Sequence, residues 1–190
     1  MHERLTAIIG AEPWMMSVLQ TVRDEQLPDA WVGAGLLRDL VWDTRFGIGF
    51  DPNRVRDVDV AFFDPSDLSR ARDQDATARL GRRLPGVPWE ATNQAAVHTW
   101  YSAHFGGPPV PPLTSIRDAV ATWPETATSV AARLDDHGTI EICDPLGLSD
   151  LLTGIWQRNP RRISIRQSQQ RLHRHDPATR WPGVHVIAPT

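Results

Sequence analysis

The run Arg56-Asp57-Val58-Asp59-Val60-Ala61-Phe62 is the segment that most constrains the fold. Val58, Val60 and Phe62 alternate with Asp57, Asp59 and Ala61, the period-two pattern of a strand with one buried face. A strand over Val55–Phe63 predicts a sheet with its inner face on a core. The same alternation sets Asp57 and Asp59 side by side on the other face. Two adjacent ionised carboxylates raise each other's pKa unless a cation or an arginine lies between them. A hard divalent ion such as Mg2+ resolves that repulsion through oxygen ligands. The residues alone leave a second reading open, an exposed strand face with two solvated aspartates.

A second feature is Gly33-Ala34-Gly35-Leu36-Leu37-Arg38-Asp39, a tight opening into a helix expected over 35–45. Small residues there let the backbone approach a ligand closely, and the free N–H groups of the first turn favour an anion. Leu36, Leu37, Leu40, Val41 and Thr44 form one stripe of that helix, with Arg38 and Trp42 on a different face. No strand is evident before it and no third glycine stands at the required place, so it is not a dinucleotide-binding fingerprint. A turn made for packing remains the alternative. A third feature is Glu90, within a strand expected over Val87–Thr92, which would add a third carboxylate. Asn93, Gln94 and His98 follow, on a helix expected through Asn93–His104. They either line a site or stabilise the strand-to-helix junction.

The rest of the chain alternates helices and strands irregularly. Helices are expected over 3–10, 14–25, 66–84 and 148–157, with a short one capped by Ser115 and Asp118. A hairpin is expected from Ser129–Leu134 and Thr139–Cys143, a loop over 106–112, and an Arg-rich last helix to His175 before a strand at Val184–Ile187. These spacings suit an α+β fold with a mixed sheet. The 190 residues, 41 % of them hydrophobic, are read as one domain spanning 1–190.

All 20 basic residues are arginines. The absence of lysine excludes Schiff-base chemistry and Walker A phosphate binding. Residues 158–180 carry seven arginines and one acid, a balance of +6, whereas residues 1–157 carry 13 arginines and 22 acids, a balance of −9. A basic end on an acidic body suits a phosphate-bearing partner, and Arg158, Arg161 and Arg162 are candidate substrate contacts. The other reading is a solvated terminal helix. Cys143 is the single cysteine and cannot form an internal disulfide, so a cytoplasmic setting is expected.

Ala34-Gly35-Leu36-Leu37-Arg38-Asp39 followed by Asp57-Val58-Asp59 resembles the GG-x-x-RD … D-x-D signature of polymerase-beta-like nucleotidyltransferases, in the version of CCA-adding and poly(A) enzymes. Trp89–Ala95, Trp123–Thr128 and Gly147–Leu152 extend the likeness over residues 15–187 to a small stand-alone bacterial family of predicted nucleotidyltransferases. Ala34 departs from the usual glycine pair. The resemblance implies transfer of an NMP from an NTP to a hydroxyl acceptor, whether RNA, protein or small molecule. It implies two Mg2+ ions, with Mn2+ as a substitute, on the catalytic and metal-binding Asp57, Asp59 and Glu90. It further implies nucleotide binding by Gly33, Ala34, Gly35 and Arg38. The alternative is a non-catalytic nucleotide- or RNA-binding module on the same fold.

Overall fold

The alternating segment forms strand β2 over Val58–Phe62, with Val58, Val60 and Phe62 buried. In the computed structural model, which describes residues 1–190, β2 belongs to a five-stranded sheet. Its companions are β1 (Trp31–Gly33), β3 (Trp89–Asn93) and the hairpin of β4 (Ala131–Leu134) and β5 (Ile140–Cys143), in the order β3-β2-β1-β4-β5. β2 and β3 run parallel and the other pairs antiparallel, so the sheet is mixed. β1 corrects the reading that no strand precedes Gly35. At three residues it is too short to display a period.

Helices α1 (His2–Gly10), α2 (Pro13–Glu25), α3 (Gly35–Phe46) and α4 (Arg70–Arg83) pack on the apolar face of the sheet. Pro13 opens α2 where a missing N–H leaves nothing unsatisfied, and Glu12 accepts the Trp14 N–H. α4 begins at Arg70 rather than Ser66 because the intervening side chains hold turns instead. Asp64 accepts from Ser66 N and from Arg72, and Asp67 accepts from Ser69 N.

The chain continues through α5 (Val97–Phe105), α6 (Ile116–Val120), α7 (Ser149–Thr153), β6 (Ile155–Trp156), α8 (Ile165–His175), α9 (Pro177–Arg180) and β7 (His185–Val186). The helix expected over 148–157 stops at Thr153. Gly154 takes φ +81°, and a Cβ there would lie 2.6 Å from the Phe46 ring. The chain then turns into β6, which pairs parallel with β7.

One cluster of buried side chains runs from Leu5 to Val184, so the basic C-terminal segment shares the core of the acidic body. Trp42, expected apart from the apolar stripe of α3, is fully buried against Trp156 and Trp181. On the opposite sheet face α6 covers Trp31, Ala61 and Ala131. Beyond that cover, the surface bearing Asp59 and Glu90 faces a cavity. No helix is long and apolar enough to cross a membrane.

Candidate active site

The cavity has a volume of about 770 Å3 and three kinds of lining. Its first side is the β1–α3 turn. Ala34 is held at φ 56° and ψ −126°, a conformation that L residues rarely adopt. Its N–H donates to Val130 O at 3.2 Å, which fixes the turn. No side chain caps α3, so the first-turn N–H groups lack the partner a cap would supply. Ala34, Gly35 and Leu36 all line the cavity. Gly33 does not. A Cβ at Gly33 would lie 2.6 Å from the Trp123 ring and 2.9 Å from Val130 O, so this glycine admits a tryptophan rather than a ligand.

The floor carries the three carboxylates. Asp57 is exposed just before β2, and Asp59 is partly buried on it. The parallel register makes Glu90 on β3 the direct partner of Asp59. Burial, followed by the charges of Asp57 and Glu90, pushes the Asp59 carboxyl up to about 7, against the pull of Arg171 and Arg38. Ion pairs around the cavity join Arg38 to Asp39, Arg171 to Glu125, and Arg180 to Asp39 and Asp43. None of them reaches the floor. No three side chains converge into a ready-made metal cage. The donor set is nevertheless all oxygen and its charge is uncompensated, which fits a hard divalent cation and not a thiolate- or imidazole-seeking metal.

The remaining side is basic and aromatic. Arg38 is only 3 % exposed, with its guanidinium 5.3 Å from the ring centroids of both Trp156 and Trp181. It donates through Nε (2.9 Å) and Nη2 (2.6 Å) to Asp39, whose other oxygen pairs with Arg180 at 2.9 Å. The acid paired with Arg38 is therefore its neighbour Asp39, and not Asp57 on the floor. Arg171 of α8 grips the fully buried Glu125 with bonds of 2.6 and 3.0 Å. Thr126 Oγ1 donates to Asp150 at 2.5 Å, and Asn159 Nδ2 donates to Ala121 O and Trp123 O. The segments Trp123–Thr128 and Gly147–Leu152 are thus each other's partners, and the first of them seats α8 through Glu125. His175 is half-buried, and burial, followed by the charges of Arg38, Arg171, Arg174 and Arg180, pushes its pKa down to about 3.

Several sequence candidates lie outside the cavity. Asn93 is fully buried and binds Asp64, Asp67 and Ala95, so it holds the junction after β3. His98 does not line the cavity, although Gln94 does. Arg158 donates to Ile163 O and Thr190 O, and Arg161 is exposed elsewhere. Of these three arginines only Arg162 faces inward, 5.1 Å from the Tyr101 ring. Sequence reasoning missed Arg171, Arg174 and Arg180, because charge density alone does not show which arginines of a helix turn inward.

The family model described as Nucleotidyltransferase matches residues 20–186. Among solved structures, an NMR structure described as revealing a CCA-adding enzyme head domain superposes with a TM-score of 0.80 at 27 % identity, covering 97 % of this chain and 95 % of that one. The Thermotoga maritima CCA-adding enzyme complexed with tRNA superposes with a TM-score of 0.54 at 13 % identity, over 93 % of this chain and 40 % of that one. The Bacillus stearothermophilus CCA-adding enzyme in complex with CTP gives 0.50 at 18 % identity, over 92 % and 40 %. The chain therefore spans about two fifths of those two enzymes. No curated protein matches it in sequence.

Proposed function

The chain belongs to the nucleotidyltransferase family, with a polymerase-beta-like fold, and from that premise we propose that it moves a nucleoside monophosphate from a nucleoside triphosphate to a hydroxyl acceptor. The observation that carries this reading is the facing of uncompensated Asp57, Asp59 and Glu90 with an uncapped helix N-terminus across one cavity. The N–H groups of Gly35 and Leu36 bind phosphate oxygens, aided by the α3 dipole. Arg38 is a positioning residue, fixing the first turns of α3 through Asp39 and Arg180. Asp57, Asp59 and Glu90 would hold two divalent cations, Mg2+ or Mn2+, which when bound neutralise phosphate charge and lower the pKa of the acceptor hydroxyl. The acceptor oxygen forms a bond to the α-phosphorus as the bond to the bridging oxygen breaks. Pyrophosphate leaves and the hydroxyl proton passes to solvent.

Thermal unfolding with each of the four NTPs, with and without Mg2+, tests the donor site. A ligand that binds only the native state raises the midpoint by linkage. The expected result is an Mg2+-dependent rise that is lost in the Asp57→Asn/Asp59→Asn variant. No rise at millimolar NTP, or a rise indifferent to both substitutions, would reject the reading.

A further inference from the structure

In-line displacement puts the attacking and leaving oxygens on opposite sides of the α-phosphorus. The β1–α3 turn offers its amides on one side of β2. On the other side lies β3, the edge strand, which carries Glu90 and leads into α5. If the leaving phosphates rest on α3, the acceptor comes from the β3–α5 side. That side has its own chemistry. Trp100, Tyr101 and Phe105 of α5 form a ring cluster, with Tyr101 and Phe105 centroids 4.8 Å apart and Phe105 50 % exposed. The Arg162 guanidinium lies over the Tyr101 face.

Arg162 differs both from the acid-paired arginines of the wall and from Arg54, Arg56 and Arg174, which also line the cavity but are exposed. Arg38, Arg171 and Arg180 each pair with an acid. Arg162 is half-buried and its pKa is pushed down by burial, with no carboxylate to offset the cost. A partly desolvated guanidinium without a counter-ion, on an aromatic face, is an anion site beside a stacking platform. Outside the cavity, Arg158 is tied to backbone carbonyls, which leaves Arg161 and Arg166 as the exposed arginines of the stretch that joins the wall. With Arg54, Arg56 and Arg174 exposed in the cavity itself, the exposed arginines of the cavity and that stretch number five, a short track for a polynucleotide, whose binding rests on many phosphate contacts. The cavity volume lies within the range of small-molecule sites, about 300–1,000 Å3.

We infer that Arg162, Tyr101 and Phe105 form the acceptor subsite, and that the acceptor is a small, phosphate-bearing molecule with a planar ring, of the nucleoside-phosphate class. This rests on the nucleotidyl-transfer reading for its direction of attack, but its binding chemistry is separately measurable. The full chain in metal-free buffer is titrated calorimetrically with AMP, CMP, GMP and UMP, with ribose 5-phosphate, and with a ten-residue oligoadenylate. Wild type is compared with Arg162→Gln, Tyr101→Leu and, as an arginine exposed outside the cavity, Arg161→Gln.

The expected result is that at least one nucleoside monophosphate binds more tightly than ribose 5-phosphate. Arg162→Gln and Tyr101→Leu each weaken it tenfold or more, and Arg161→Gln does not weaken it. Two variants guard against a folding defect in either. The inference is overturned if no monophosphate binds, if binding ignores both Arg162 and Tyr101, or if Arg161→Gln weakens it as much as Arg162→Gln. Tighter binding of the oligonucleotide with a steep salt dependence would also overturn it, in favour of an RNA end. Mg2+-dependent NTP stabilisation reports on the donor reading alone, so the two ideas fail separately.

Discussion

Asp59 lines the cavity and Glu125 is buried outside its lining, and the protein treats these two acids differently. Glu125 lies behind the arginine wall with no exposed surface, holding two bonds from Arg171 and one from Thr128. Asp59 stands on the sheet beside two more carboxylates, and its pKa is raised to about 7. A buried charge that is fully paired belongs to the architecture, whereas one left unpaired among like charges is a cost that folding alone would not retain. The difference separates the acid that seats α8 from the acids offered to a ligand.

Substitutions that break this contrast should give effects of different kind and size. Asp57→Asn should lower nucleotidyl transfer by about 1,000-fold or more, since metal neutralisation of phosphate charge supplies several kcal/mol of transition-state stabilisation. Its urea midpoint should hold or rise. Glu125→Gln should do the reverse, destabilising the fold by about 3–5 kcal/mol in urea unfolding because Arg171 loses its buried partner. Equal losses of stability in both variants would erase the distinction.

Acidity sharpens the contrast further. Asp59 rises from an ordinary value of 3.8 to about 7 in the metal-free fold. Between those values the native state keeps a proton that the unfolded chain releases, so stability falls as pH climbs from about 4 to 7. Asp59→Asn should therefore melt above wild type at pH 8 in EDTA, with the gap closing toward pH 4. A gap independent of pH would contradict the assignment. The smallest effect concerns the strained turn: Ala34→Gly should stabilise by about 1 kcal/mol, as relief of positive-φ strain outweighs the added freedom of the unfolded chain. A loss of stability would show that the Ala34 methyl packs usefully.

Much of this was legible in the residues. The alternation at Val58–Phe62 fixed both the buried face and the placing of the aspartates, because a strand leaves a side chain only two directions. The hairpin and the capped helix at Ser115 follow from local turn chemistry, which needs no distant partner. What stayed hidden depends on contacts far apart in sequence. Trp42 meets Trp181, Glu125 meets Arg171, and Gly33 makes room for Trp123. The pattern of α3 did not show its second buried face, since Arg38 and Trp42 stand off its apolar stripe and the rings that cover them come from the C-terminal segment.

Mn2+ binding, followed by electron paramagnetic resonance on the metal-free chain in the presence of a non-hydrolysable NTP analogue, tests the central claim most directly. The account predicts saturable Mn2+ uptake by wild type and by Glu125→Asp, and its loss in Asp57→Asn/Asp59→Asn. Undiminished uptake by the double variant would show that the floor carboxylates are not the cation site.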